Sequence, residues 1–183
     1  YALDFFDDAD STNLESHTPI IGTSWVKITG GPSLQIQGND LLVPLGITTP
    51  YRMFFPPLSN LKYVEKEIVF SSSSSANLVI EFGTAGWIAR WNPGAGTVSI
   101  YPENGLSAPF TTSIPSQPVG IYSIRAVGQE DTFTVYFNGI GVRISGISES
   151  ISSVAMRVYS SIGFRRTLGA EIKVHSIYGT TLL

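Results

Sequence analysis

Apolar and polar residues alternate with a period of two along much of this chain. Successive side chains of a β-strand point to opposite faces of a sheet, so this period predicts strands that bury one face. The alternating segments are residues 25–29, 34–37, 65–70, 77–82, 87–91, 97–101, 122–127, 132–137, 142–144, 155–159 and 171–178. Many short strands without helical segments between them favour an all-β protein, a two-sheet antiparallel β-sandwich of the jelly-roll kind, over an α/β fold.

Turn residues separate these segments. Asn138-Gly139 suits the positive φ angles of a type I′ hairpin turn, and residues 92–96 (NPGAG) predict a second hairpin. The five serines at 71–75 are short enough for a hairpin loop, although their composition also fits a flexible linker. Four prolines interrupt residues 41–58, which we expect at a sheet edge or in a connection. We expect residues 4–14 to be irregular, because they mix acidic and turn-forming residues.

Length and composition indicate the number of domains and exclude some classes of partner. The chain has 183 residues, of which 43% are hydrophobic and 14% charged, and this predicts one domain over residues 1–183, whole or part of a longer chain. A net charge of −3 without a basic run argues against nucleic acid as a partner. No apolar stretch reaches the roughly 20 residues that span a bilayer, so we expect no membrane partner. The absence of cysteine excludes disulfides and thiolate metal sites.

Two segments resemble a known kind of domain. Residues 122–125 (YSIR) and 131–139 (DTFTVYFNG) resemble the central hairpin of laminin-G-like and concanavalin A-like β-sandwiches. Residues 6–19, followed by Gly22 and Trp25, are similar to the opening of such domains in bacteriophage virion proteins and bacterial surface proteins. The resemblance implies a sandwich used for sugar binding, adhesion or virion architecture, and the fold alone does not choose among these roles.

The acidic N-terminal segment is a candidate calcium site. Its aspartates are hard oxygen donors of the kind that Ca²⁺ binds, and the resemblance also implies a structural Ca²⁺ as the one cofactor. Asp8 and Asp10 are the candidate ligands. The spacing is not that of an EF-hand loop, and the alternative is a solvated turn in which aspartates cap backbone amides.

A pair of tryptophans is a candidate sugar platform. Trp87 and Trp91 fall on one face of a predicted strand, where two indole rings could stack on a sugar, with Arg90 and Tyr101 as further candidates. The alternative is that these aromatic side chains fill the core between the sheets.

The sequence offers few candidate catalytic residues. Glu65 and Glu67 share a strand face at a spacing of about 7 Å, as a polysaccharide-cleaving enzyme would need, but the neighbouring Tyr63 and Lys66 favour an exposed edge strand. The two histidines, His17 and His175, lack any recognisable catalytic motif and are expected to be structural. We therefore predict no enzymatic activity, with polysaccharide cleavage as the alternative.

The first functional hypothesis is a non-catalytic structural module of a virion, such as a capsid decoration, tail or fibre domain. Such a module would form a homo-oligomer, for example a trimer, or attach to a carrier protein, and it would lie on a virion or an extracellular surface. The alternative is a lectin-like carbohydrate-binding module for a host or polysaccharide glycan.

Overall fold

A computed structural model describes residues 2–27, 33–44, 51–54, 63–73, 79–84, 87–102, 110–129, 132–144, 161–168 and 171–182. A single 3₁₀ turn spans Leu14–Ser16, and the other regular elements of these ranges are strands. The strands are β1 (Ala2–Asp4), β2 (Trp25–Lys27), β3 (Gln35–Ile36), β4 (Leu41–Val43), β5 (Tyr51–Phe54), β6 (Tyr63–Ser72), β7 (Val79–Thr84), β8 (Trp87–Asn92), β9 (Thr97–Pro102), β10 (Phe110–Ser113), β11 (Ile121–Gln129), β12 (Thr132–Phe137), β13 (Ile140–Ile144), β14 (Ser161–Leu168) and β15 (Ile172–Leu182).

The strands form two antiparallel sheets. The first sheet has the order β13-β12-β11-β6-β15-β4-β3, and β1 pairs with β15 beyond the end of β4. The second sheet has the order β10-β9-β8-β7-β14-β5-β2. The protein is therefore a two-sheet antiparallel β-sandwich, as the alternation predicts.

The hairpins predicted at residues 138–139 and 92–96 are confirmed. Asn138 and Gly139 have φ angles of 48° and 79°, the positive values that a type I′ turn requires, and they join β12 to β13. The turn at 92–96 joins β8 to β9, and there Gly96 has a φ of 66°. The predicted strand at 155–159 lies outside the described residues.

Several strands lie where no clear alternation predicts them. Of residues 4–14, predicted to be irregular, only Asp4 lies in a strand, at the end of β1. The proline-interrupted residues 41–58 include β4 and β5, and the edge position predicted there is wrong for these two strands, because each pairs with a neighbour on both sides. Strands β10 and β14 also lack a strong period. These strands are held by pairing with their neighbours in the sheets, a contribution that local sequence does not contain.

The edge position predicted for Glu65 and Glu67 is wrong. Their strand, β6, lies inside the first sheet between β11 and β15. The same strand continues through Ser71 and Ser72, so the serine run begins within the sheet, and a linker is excluded for these two residues. The hairpin predicted at the serines is also wrong, because β6 and β7 belong to different sheets.

Aromatic side chains fill the space between the sheets. Trp91 projects from the second sheet against Tyr122 and Phe137 of the first, with ring centroids 5.5 and 5.4 Å apart, and its ring meets Phe70 edge-on at 6.3 Å. All four rings are buried. In the described part of the chain, no helix has the length and apolar character needed to cross a bilayer.

Candidate functional site

The outer face of the first sheet is the surface that faces away from the aromatic core. On β6, Ile68 and Phe70 are buried while Glu65, Glu67 and Ser71 are partly exposed, which is the alternation expected of a strand with one buried face. The neighbouring strands β11 and β12 follow the same rule, and so does β15 from Ile172 to Tyr178 apart from the bulge at His175, whereas Thr180 is buried. Their partly exposed side chains therefore form one continuous surface.

Four side chains form a row across this surface, which we call the tyrosine row: Tyr136, Arg125, Glu67 and Tyr178. Antiparallel register sets the row, because Arg125 pairs with Tyr136 on one side and with Glu67 on the other, and Glu67 pairs in turn with Tyr178. Directly paired residues have Cβ atoms about 5 Å apart, so neighbouring side chains of the row are within contact distance.

Arg125 organises one end of the tyrosine row. Its guanidinium carbon lies 4.5 Å from the centroid of the Tyr136 ring, and its Nη1 donates to Oε1 of Glu65 at 3.1 Å. The Arg125 side chain remains 39% exposed. This arrangement presents a partly exposed aromatic ring beside a cation and carboxylates that are held in place, a combination that can meet both the apolar and the hydroxyl-bearing sides of a sugar.

Glu67 differs electrostatically from Glu65. Burial raises the pKa of Glu67 above its ordinary value; the nearby Arg125 lowers it, the negative charge of Glu65 raises it further, and the net shift is upward. Glu67 thus holds a proton more readily than an ordinary surface glutamate. Both carboxyl groups lie on one strand face, as the sequence predicts.

The predicted tryptophan platform does not form at Trp91. The Trp91 side chain is 0% exposed and its ring is packed into the aromatic core, so no sugar can stack on it. Its strand neighbour Arg90 is exposed on the opposite face of β8. The side chains of Trp87 and Tyr101 lie outside the described residues. Trp91 therefore has the alternative role given for these aromatic residues, which is to fill the core between the sheets.

The predicted calcium ligands have protein partners. Oδ2 of Asp8 lies 2.9 Å from Nδ1 of His17, and Oδ1 of Asp10 accepts a hydrogen bond from the amide of Gly38 at 2.7 Å. Across the described ranges, no three histidine, cysteine or acidic side chains are grouped to hold a metal ion. Calcium at Asp8 and Asp10 stays a prediction without structural support in these ranges.

A buried hydrogen-bond network ties the N-terminal segment to the sandwich. The fully buried Asp4 carboxylate accepts hydrogen bonds from Trp25 Nε1 at 2.6 Å and from the amide of Phe6 at 3.0 Å, and it lies 2.6 Å from Nε2 of His17. The buried His17 ring therefore bridges Asp4 and Asp8. This is a structural role for His17, since the ring is closed to solvent.

The tyrosine row was not identified by sequence reasoning. Arg125, Tyr136 and Tyr178 each lie in a predicted strand and in the outward phase of its alternation, which is the only local signal they carry. Their proximity depends on the strand order β12-β11-β6-β15, which alternation does not determine.

Comparisons with known proteins find similarity in structure alone. No protein-family model matches the chain, and no curated protein sequence matches it. The potassium-bound carbohydrate recognition domain of Emp46p has 10% identity and a TM-score of 0.57 over 93% of this chain and 95% of its own. The Ca²⁺- and Man2-bound exoplasmic/lumenal domain of VIP36 has 10% identity and a TM-score of 0.61 over 95% of this chain and 88% of its own.

A third similar structure comes from work on endo-acting O-glycanases of the human gut microbiota that initiate mucin breakdown. It has 11% identity and a TM-score of 0.62 over 99% of this chain and 98% of its own. At these identities the likeness shows the fold, which is a concanavalin A-like β-sandwich.

Proposed function

We propose that this protein is a carbohydrate-binding module whose binding surface is the tyrosine row. The observation that carries the proposal is the register-determined alignment of Tyr136, Arg125, Glu67 and Tyr178 on a partly exposed sheet face. Aromatic rings stack on the apolar face of a sugar, while a guanidinium and carboxylates bond its hydroxyl groups. The similar Emp46p and VIP36 domains, a carbohydrate recognition domain and a Man2-bound domain, support this proposal.

A glycan array followed by calorimetry on the best ligand tests the binding proposal. We expect R125A and Y136A each to weaken binding at least about tenfold, which corresponds to about 1.4 kcal/mol. R90A separates the tyrosine row from the tryptophan platform, because Arg90 is exposed on the second sheet; it should bind as the wild type does, and a loss of binding confined to R90A would favour the platform instead. Equal binding by R125A, Y136A and the wild type, or no binding to any glycan, would rule out the tyrosine row as a sugar site.

Polysaccharide cleavage is a second candidate for the same surface. Glycoside hydrolysis uses one carboxyl group that keeps its proton and one that stays ionised. Two neighbouring carboxyl groups whose surroundings move their pKa values apart are the usual sign of such a pair. The raised pKa of Glu67 favours this residue as the carboxyl group that keeps its proton, with Glu65 beside it in contact with Arg125. Release of reducing ends from the bound glycan, abolished in both E65Q and E67Q, would establish cleavage; no release would leave binding as the function.

Attachment to copies of itself or to a carrier protein is the third candidate, and the virion or extracellular location belongs with it. Exposed apolar side chains near the N-terminal segment favour it, namely Phe5, Ile20, Ile21 and Val26. Light-scattering mass after size exclusion, with Ca²⁺ and with EDTA, tests it. A stable trimer would support assembly, a monomer would favour a module that acts alone, and a mass change with EDTA would support the predicted calcium.

A further inference from the structure

A second polar row crosses the outer face of the first sheet, four residues along β6 from the tyrosine row. Nε2 of His175 lies 2.9 Å from Oγ of Ser71, and Nδ1 of His175 lies 2.6 Å from Oδ1 of Asp40. The three residues come from three separate strand regions, since His175 is 104 residues from Ser71 and 135 from Asp40. We call these three residues the serine row.

A β-bulge aims His175 at this surface. The register of β15 against β6 shifts between Val174 and Ser176, so His175 is the extra residue of the bulge. Bulges redirect a side chain and are frequent beside active sites. On the other side of β15, Val174 pairs with Leu41, and the preceding residue, Asp40, therefore lies next to His175.

The hydrogen bonds of the serine row fit a neutral histidine with its hydrogen on Nδ1. An ionised Asp40 carboxylate has no hydrogen to give, so it accepts the Nδ1 hydrogen of His175. In the neutral imidazole the lone pair is then on Nε2, which accepts the hydroxyl hydrogen of Ser71. This is the arrangement in which a histidine acts as the general base for a serine nucleophile and an aspartate holds the correct tautomer.

Two further side chains flank Ser71 across the neighbouring strands. Lys173 of β15 pairs directly with Ser71 and is exposed, which places a positive charge beside the hydroxyl. Ile121 of β11 pairs with Ser71 from the other side, and it is 70% exposed. A cation can stabilise a developing oxyanion, and an exposed apolar side chain next to the nucleophile can contact an acyl chain.

We propose that the serine row is a hydrolytic site for carboxylic esters with a small apolar acyl group. Ser71 Oγ attacks the ester carbonyl carbon while its proton passes to Nε2 of His175, and the carbonyl electron pair moves onto the oxygen beside Lys173. The carbonyl then re-forms, the bond to the alcohol oxygen breaks, and the alcohol leaves with the proton from Nε2. Water repeats these steps on the acylated Ser71, releasing the carboxylic acid and restoring the hydroxyl.

This activity does not rest on glycan binding, since the tyrosine row and the serine row share strands but no residue. In the proposed reaction Ser71, His175 and Lys173 are catalytic residues, whereas Asp40 is a positioning residue that acts through His175. A merely structural network would hold the turn before β4 against the sheet and would leave Ser71 unreactive.

Two measurements on the full chain test the proposal: covalent labelling by a fluorophosphonate probe, located by peptide mass spectrometry, and hydrolysis of p-nitrophenyl butyrate. We expect one adduct, on Ser71, that is absent in S71A and H175A. Ester hydrolysis should fall to the background rate in S71A and at least about tenfold in K173M. S123A is the matched control. Ser123 lies on β11 and is partly exposed on the same outer face of the first sheet as Ser71, so S123A should keep both the adduct and the ester hydrolysis.

The positioning role of Asp40 has its own readout. Asn at position 40 can donate to Nδ1 and so favour the tautomer with hydrogen on Nε2, which removes the base. D40N should therefore lower kcat by as much as about 10⁴-fold and leave KM for the ester nearly unchanged, while D40E restores part of kcat. The proposal is overturned if Ser71 of the folded protein carries no adduct, or if S71A hydrolyses the ester at the wild-type rate.

Discussion

Replacement of His17 tests how the N-terminal segment is attached to the sandwich. His17 is buried between Asp4 and Asp8, with 2.6 Å from Nε2 to Asp4 and 2.9 Å from Nδ1 to Asp8. H17L puts an apolar side chain of similar size in this place and leaves the buried Asp4 carboxylate without its histidine. Removing one partner of a buried ion pair costs about 3–5 kcal/mol, a large part of the ordinary stability of a domain.

A matched variant separates the two contacts of His17. The Asp8 side chain is 40% exposed, so its contact with His17 is screened by solvent and should contribute about 0.2–1 kcal/mol. We therefore expect D8N to lose far less free energy of unfolding than H17L. H175Q is the control for the loss of a histidine as such, because it removes the partly exposed second histidine from the outer face of the first sheet.

The pH dependence of stability follows from the protonation of His17. Burial lowers the pKa of this side chain, but the hydrogen bonds and charges of Asp4 and Asp8 outweigh burial, and the pKa is raised above its ordinary value of 6.5. A group with a raised folded-state pKa stabilises fully below its unfolded pKa, here about 6.5, and loses that contribution as the pH rises through the folded value. One proton limits this loss to about 1.4 kcal/mol per pH unit.

Urea unfolding at pH 5.5, 6.5, 7.5 and 8.5 measures both effects. The free energy of unfolding of the wild type should decrease from pH 6.5 upward, and H175Q should show the same decrease. The difference between wild type and H17L should be largest at pH 5.5 and smaller at pH 8.5. A difference that is constant with pH, or that grows toward pH 8.5, would refute the bridging role of protonated His17.

Three further predictions concern the core and the turns. W91A should lower the free energy of unfolding by about 3–5 kcal/mol, because it empties the centre of the aromatic core, and thermal or urea unfolding would show this. W91F should cost clearly less than W91A, since it refills part of that volume and removes the buried indole Nε1, for which no hydrogen-bond partner exists among the described residues. G139A and G96A form a matched pair at φ angles of 79° and 66°. A Cβ at 139 meets open space and should cost about 1–2 kcal/mol, whereas a Cβ at 96 would clash with the carbonyl oxygen of Ile114 and should cost about 3 kcal/mol or more. Equal unfolding midpoints for the two glycine variants would contradict the close approach of Ile114 to Gly96.

Side-chain burial of the tryptophans shows where pattern reasoning is incomplete. Alternation places Trp87 and Trp91 on one strand face, but the same pattern is produced by a face that packs against the other sheet and by a face that meets solvent. The second sheet turns the Trp91 face inward, against Phe70 and Tyr122. A single strand carries no information about which of its faces will be covered.

The tyrosine row and the serine row also combine features that the sequence predicts with features that it does not. The positions of strands such as β6, β11 and β12 and the alternation of their faces could be predicted from sequence, because both depend on neighbouring residues in the chain and on turn chemistry such as that of Asn138-Gly139. Strand order could not be predicted, because it depends on pairing between distant segments.

The serine row needs β6 beside β15, β4 on the far side of β15, and a bulge at His175, and none of these leaves a local pattern. The sequence by itself determined a two-sheet antiparallel sandwich and the residues that could face outward. Only the tertiary structure decided which of those residues meet, because hydrogen bonding between strands far apart in the chain sets the register that brings Tyr136 next to Arg125 and Ser71 next to His175.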